Sequence, residues 1–352
     1  MFFTGVGTAV PPRRYLKSEC WNAYEASEWY QKLGTRAHAV IKTVLQRDNG
    51  IESRHLAVDT LEEVFKIDPD TLHSRFLAHA PALSRKAGAE AIERAGIARE
   101  DIDAVVVSTC TGYLCPGLSS YVIEQLGLRS DVQAYDLVGQ GCAAALPNMR
   151  LGQSLLATGS CEHVLSVCVE VCSAAMYLDE DIGVLISACL FGDGAGAAVL
   201  SRQPREGVRR VAWKDGETVT NPDKRAALMF ETREGLLRNI LTKEVPAVAA
   251  EHAQVVLRNV LERNGVKQGD IRNWIMHAGG RDVLLALEDR LDIPKEELRY
   301  SAAMLRDYGN LSSAFVYFVL RAALADEAQG GAWWMSSFGA GFSCHGALLE
   351  VE

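Results

Sequence analysis

The chain repeats itself, and this repetition limits its possible folds more than any other feature of its 352 residues. Residues 93–107 read as the end of a helix, a turn and the start of a strand. Residues 262–276 follow the same grammar, with Glu, Arg, Gly, Asp and Ile recurring in the same places. In both copies a glycine (Gly96, Gly265) stands where a helix ends on a left-handed residue, and a short apolar run follows. Further on, Gly139-Gln140-Gly141-Cys142-Ala143-Ala144 leads into a helix over Ala145–Ala157. Asp307-Tyr308-Gly309-Asn310-Leu311-Ser312-Ser313 leads into another over Ala314–Ala325. Nearly the same offset separates these two elbows as separates the first pair of segments. A third match pairs Leu190-Phe191-Gly192-Asp193-Gly194 with Ser337-Phe338-Gly339-Ala340-Gly341, each running into a final apolar strand. Three matches in one order predict a duplicated α/β fold, its halves related by a pseudo-twofold axis.

The expected division is residues 1–205 and 206–352. Helices alternate with Val-rich strands, as in sheets covered on both faces. Residues 13–90 break the symmetry. Their helical stretches, Ser18–Leu33, Ala37–Arg47 and Pro69–Ala91, read as an insertion over the first half, and Asp131–Val138 reads as a buried strand.

Equivalent elbows beside a twofold axis can approach one another, and ligands favour the ends of such strands. One elbow carries Cys142 and the other Asn310. His277 follows the apolar run Trp274-Ile275-Met276 and so stands at a strand end. A thiol at a helix N-terminus feels the positive end of the dipole, and an imidazole beside it favours the thiolate, so a lowered thiol pKa is expected. His277 and Asn310 are suited to donating hydrogen bonds to a developing enolate or oxyanion, and Gly339 and Gly341 to presenting backbone N–H groups. Each residue has a plainer explanation: an inert buried cysteine, a structural histidine, a helix-capping asparagine. Their joint placement at symmetry-related positions favours a thioester-handling site. Gly192-Asp193-Gly194-Ala195-Gly196 lacks dinucleotide-loop spacing and precedes a strand, and nothing beyond proximity to the glycine loop gives His345 a role.

Composition narrows the partners. A net charge of −9 argues against nucleic acid. Lys42, Arg47 and Arg54 form a candidate basic patch for a small polyanion or, equally, a solvated helix face. No apolar run approaches the ~20 residues of a membrane helix, and the first residues lack signal-peptide character, so a cytoplasmic location is expected. Nine scattered cysteines without framework spacing are expected to be reduced thiols, with no structural metal.

The stretches Gly139–Ala143, Leu190–Gly194, Met276–Gly280 and Tyr308–Ser313 resemble those of type III polyketide synthases, the chalcone-synthase-like enzymes of the thiolase superfamily. The likeness runs from about Arg75 to the C-terminus, and the opening Gly5–Pro11 also fits bacterial members. It implies a duplicated thiolase-like fold of two βαβαβαββ halves in αβαβα layers. By the same resemblance Cys142 takes an acyl group from a CoA starter, while His277 and Asn310 promote decarboxylation of malonyl-CoA. The product cyclises to a pyrone or resorcinol type. The resemblance further implies CoA thioesters as substrates, no cofactor or carrier protein, and a homodimeric enzyme. Phe191 matches a gatekeeper of the CoA tunnel; a second gating aromatic is expected near Arg238, where none stands. Cys110, Thr111, Cys172, Ala175 and Ser187 match cavity-wall positions, with Gly279 beside the histidine and Cys115 reaching the partner subunit. Asp48 falls where a CoA-contacting basic residue is expected. The C-terminal loop Ser337–Gly346 instead resembles ketosynthases that initiate fatty-acid synthesis on acyl carrier protein, which keeps that reading open. A non-decarboxylating acyltransferase or hydrolase and a non-catalytic scaffold are the remaining alternatives.

Overall fold

The computed structural model describes all 352 residues. The first half comprises β1 (Phe2–Ala9), β2 (Arg14–Leu16), α1 (Lys17–Ala26), α2 (Glu28–Gln31), α3 (Thr35–Gln46), β3 (Ser53–His55) and α4 (Pro69–Ala95). It continues with β4 (Ala104–Ser108), α5 (Leu118–Leu126), β5 (Gln133–Leu137), α6 (Ala145–Ala157), β6 (His163–Glu170), α7 (Ile182–Leu190) and β7 (Gly194–Ser201). The second half opens with β8 (Val211–Thr220), β9 (Leu228–Arg233), β10 (Leu236–Leu241), α8 (Val245–Asn264) and β11 (Ile271–Met276). It ends with α9 (Arg281–Leu291), α10 (Arg299–Tyr308), α11 (Phe315–Ala325), β12 (Gly331–Gly339) and β13 (Ser343–Val351). No helix is long and apolar enough to cross a membrane.

The repetition in sequence is a repetition in topology. Nine strands join in the order β11-β12-β13-β8-β1-β7-β6-β4-β5. Outward from the β1–β8 junction, β1-β7-β6-β4 matches β8-β13-β12-β11, antiparallel twice and then parallel in both halves. Gly96 (φ 57°) and Gly265 (φ 64°) end α4 and α8 in the left-handed conformation, as expected. Helices α6 and α11 lie between the half-sheets, with α4 and α5 outside one and α8 and α9 outside the other. Such a central helix must be apolar all round, and Phe315–Leu320 of α11 are all buried.

Three expectations need correction. First, α4 belongs to the sheet core and not to the insertion: it lies flat on β1, where Gly5 and Gly7 meet the backbone of Ala87, Ala91 and Ala95. The insertion is smaller, a cap of α1–α3 and the β2–β3 pair with its own apolar cluster around Trp21, Tyr24 and Ile41, and the helix expected over Ser18–Leu33 breaks at Ser27. Second, β5 is the exposed edge of the sheet and not a buried strand, and Val138 just beyond it is 69% exposed. The second half has no counterpart to β5; α10 leads directly to Gly309. Third, Arg54 is no part of a basic patch. Its guanidinium is buried and donates to the carbonyls of Ala188 and Phe191, 2.9 Å each.

The close approach of β1 to α4 has a direct test. A methyl group on Gly7 would overlap the Ala87 carbonyl. Gly7→Ala is therefore expected to cost about 1–3 kcal/mol in chemical denaturation. Unchanged stability would contradict this packing.

Candidate active site

The two elbows meet. Cys142 sits in a tight turn, Gly141–Ala143, ahead of α6, and Asn310 precedes the turn Ser312–Ala314 ahead of α11. Asn310 Oδ1 accepts from the N–H of Ser312 at 2.8 Å, and Ser312 Oγ donates to Cys142 Sγ at 3.2 Å. Asn310 Nδ2 donates to the carbonyl of Gly279 at 3.1 Å. His277 leaves the end of β11 with its N–H bonded to Ser336 O at 2.9 Å. A methyl on Gly279 would lie 3.9 Å from both Asn310 Nδ2 and His277 Nε2, so the two nitrogens converge about this residue. Phe315 and Phe338 stand edge-on to the imidazole at 5.4 and 5.1 Å between ring centres. Nδ1 is buried without a partner, which leaves Nε2 as the ring nitrogen available to chemistry.

Cys142 opens onto a largely apolar cavity. Cys110, Thr111, Cys172, Ala175, Ser187 and Phe191 share its wall with Cys142. His277, Asn310 and Gly279 form the adjoining cluster and are connected to the thiol through Ser312. Gly339 packs behind the elbow, where a methyl would come 2.6 Å from Ala143 N, and Gly341 shapes the β12–β13 turn; of this loop only Ala340 reaches the wall. Cys115 is exposed, and the nine cysteines are unpaired.

Several contributors carried no signal in the sequence. The buried carboxylate of Glu170 is the main one, and the contact of Ser312 with the thiol, though Ser312 lies in the Tyr308–Ser313 stretch, is another. Glu170 accepts from Ser313 Oγ, Cys110 N (3.0 Å) and Thr111 Oγ1 (2.9 Å), with Ser312 Oγ 3.3 Å away, joining both halves beneath the thiol. The hairpin β9–β10 adds Leu228, Met229, Phe230 and Asn239 to the cavity. Arg238 points away from it, pairing with Asp179, Asp181 and Glu231, while Phe230, opposite Asn239, supplies an aromatic ring to the wall.

Burial dominates the electrostatics. It pushes the Cys142 thiol up to about 12, against the smaller lowering by Ser312 and the turn backbone. The lowered value expected from the helix dipole is thus overturned, and the thiol's hydrogen bond comes from Ser312 and not from His277. Burial also drives His277 down to about 3 and raises Glu170. Burial thus favours the uncharged form of both the thiol and the imidazole.

Models of known families match this architecture along almost its whole length. "FAE1/Type III polyketide synthase-like protein" matches residues 12–263, and the C-terminal domain of chalcone and stilbene synthases matches residues 217–350. The chain belongs to the type III polyketide synthases. It is therefore a decarboxylating, condensing acyltransferase. It is similar to a 1,3,6,8-tetrahydroxynaphthalene synthase of Streptomyces peucetius subsp. caesius, 31% identical over 98% of this chain and 92% of that one. It is 28% identical to a 3,5-dihydroxyphenylacetyl-CoA synthase of Streptomyces toyocaensis, over 89% of this chain and 80% of the other. The solved PKS-I of the brown alga Ectocarpus siliculosus superposes with a TM-score of 0.90 at 25% identity, covering 99% of this synthase and 98% of the alga's.

The buried imidazole makes a pH prediction. Its folded pKa lies below the unfolded value, so the unfolded chain binds the extra proton. Its contribution to stability is complete above about pH 6.5 and is lost as the pH falls toward 3. The stability difference between the wild type and His277→Asn should shift by about 1.4 kcal/mol per pH unit between roughly pH 6 and 4.5, in the variant's favour as acid is added. A pH-independent difference in denaturant titrations would refute a depressed His277.

Proposed function

We propose that this synthase loads an acyl group from CoA onto Cys142, extends it with malonyl-CoA, and cyclises the product to a pyrone or resorcinol type. The observation that carries the reading is the convergence of Asn310 Nδ2 and His277 Nε2 about Gly279, linked through Ser312 to a thiol at the cavity wall. Cys142 Sγ attacks the thioester carbon, its proton passes to His277, and CoA departs as the thiol. Neither group carries charge readily alone in this buried site; formed together as thiolate and imidazolium, the charges offset each other's desolvation. A malonyl thioester then loses CO₂, and negative charge gathers on its carbonyl oxygen. After loading, the neutral His277 ring exchanges its Nδ1 proton for one on Nε2, and in that tautomer it and Asn310 Nδ2 donate hydrogen bonds to that oxygen. The enolate carbon attacks the acyl carbon on Cys142 and expels the thiolate, and further rounds lengthen the chain.

Phe191 gates the cavity, with Phe230 as its aromatic companion. Cys110, Thr111, Cys172, Ala175 and Ser187 leave room for the growing chain, and Gly279 allows close backbone approach beside the reacting atoms, while Gly339 and Gly341 shape the loop behind the Cys142 elbow. The chemistry uses free CoA thioesters and no resident cofactor or metal. Exposed Tyr113 (74%) and Val138 (69%) follow the C-terminal ends of neighbouring β4 and β5, beside exposed Cys115 and the open sheet edge. Such an edge invites a second copy, which supports a homodimer. Unpaired cysteines suit a reducing, cytoplasmic compartment.

The test is intact-protein mass spectrometry with acyl-CoA starters of increasing length, followed by product analysis with malonyl-CoA. An acyl adduct that Cys142→Ala abolishes, with cyclised products from free CoA esters, is expected. Extension only from malonyl-acyl carrier protein would favour the initiating-ketosynthase chemistry instead.

A further inference from the structure

The hairpin β9–β10 forms part of the wall of the active-site cavity, yet it lies outside the nine-stranded sheet. Its two strands pair only with each other. A two-stranded hairpin is marginally stable on its own in water, so its position depends on what fastens it. Leu228, Met229 and Phe230 line the cavity while only half-buried, so the wall is thin there. Two side chains bond the hairpin to the rest of the chain. Asn239 Nδ2 donates to Ser187 Oγ at 2.9 Å, and Arg238 reaches the segment ahead of α7. All three guanidinium nitrogens of Arg238 are engaged: Nε with Asp179 Oδ2 at 3.1 Å, Nη2 with Asp181 Oδ2 at 3.3 Å, Nη1 with Glu231 Oε1 at 2.9 Å. Glu231 is its cross-strand partner and holds the guanidinium from within the hairpin. The other oxygen of Asp181 caps α7, accepting from Gly183 N at 2.9 Å. Met176 and Tyr177, just before Asp179, and Val184 and Ser187 of α7 line the same cavity. Arg238 thus joins two parts of the wall from outside it, with its side chain only 13% exposed. Isolated surface ion pairs contribute little, whereas a network around one largely buried arginine is the arrangement that fixes geometry.

We propose that Arg238 is a positioning residue that limits the length of the product, by latching the hairpin of residues 228–241 to the segment of residues 175–181. The proposal rests on the reading that Cys142 carries the chain being extended. Arg238 touches neither the chain nor the reacting groups and acts only through the walls it joins. Without its guanidinium, Asp179, Asp181 and Glu231 face one another with no cation between them, and their repulsion drives the hairpin away from α7. Asn239 alone then bonds the hairpin to α7. The loosened wall yields to a longer chain, and more rounds of extension precede release.

The test compares the full-length wild type with Arg238→Met, which keeps an unbranched stem and loses the charge, and with Arg238→Lys. Amide hydrogen exchange in residues 228–241 is expected to quicken about tenfold in Arg238→Met, with residues 315–325 unchanged. With acetyl- to hexanoyl-CoA as starters and malonyl-CoA as extender, the ratio of longer to shorter products should rise about fivefold. The rate of Cys142 acylation should stay as in the wild type. Arg238→Lys should reverse part of both effects, since an ammonium lacks the planar fork that spans several carboxylates. Unchanged exchange in the hairpin would overturn the latch. Faster exchange with an unchanged product ratio would overturn its control of chain length. A wild type that forms no Cys142 adduct with any starter would overturn the thioester reading and the link to chain length with it, leaving the exchange rates to decide the latch. If Arg238→Met does not fold, Asp179→Asn, which removes one charge partner, should move both readouts the same way by a smaller factor. No movement in that variant would overturn the proposal.

Discussion

The backbone of Asn310 is bonded in both directions to the segment after α7. Its N–H donates to Leu190 O and its carbonyl accepts from Gly192 N, 2.9 Å each. These two bonds fasten the second half of the chain to the first at the point where chemistry is expected. They fix Phe191 between them and set the direction of the Asn310 side chain. From there the order passes through Ser312 to Cys142, and through Gly279 to His277. The same segment is held from the other side by Arg54 and by the N–H of Asp193, which donates to His55 O at 2.8 Å. The cap therefore supports the Phe191 segment from the side opposite Asn310.

The site's second constraint is dryness. A thiol, an imidazole and a carboxyl group lie close together in an interior that penalises the charged form of each. A helix dipole contributes about 0.3–1 kcal/mol at an exposed terminus. Full burial shifts a pKa by up to about 3–5 units, several times as much. The dipole argument for Cys142 was sound in sign and too small in size. Glu170 illustrates the other side of burial, since donors from Cys110, Thr111 and Ser313 surround its raised carboxyl group and tie together loops from both halves.

What the sequence revealed follows from where its punctuation is. Gly96 and Gly265 announced two equivalent helix ends because only a left-handed residue closes a helix in this way. The elbows at Cys142 and Asn310 were legible because each lies between a glycine and an apolar helix. Apolar pattern alone did not tell a buried strand from an edge strand, so the exposure of β5 was missed. It also failed to separate α4 from the cap, since both are helical and contiguous; Gly5 and Gly7 were the clue to close packing there. Arg54 resembled its charged neighbours until β3 carried it inward. Glu170, Phe230 and Ser312 act through tertiary proximity, for which a single sequence has no local sign.

The central claim is that His277 and Asn310 share one oxygen of the substrate. It is tested most directly by a crystal structure of Cys142→Ala with a non-decarboxylating malonyl-CoA analogue. The thioester carbonyl oxygen is predicted to lie about 3 Å from both Asn310 Nδ2 and His277 Nε2, above Gly279. A carbonyl bound elsewhere, with the two nitrogens facing water or protein, would contradict the account.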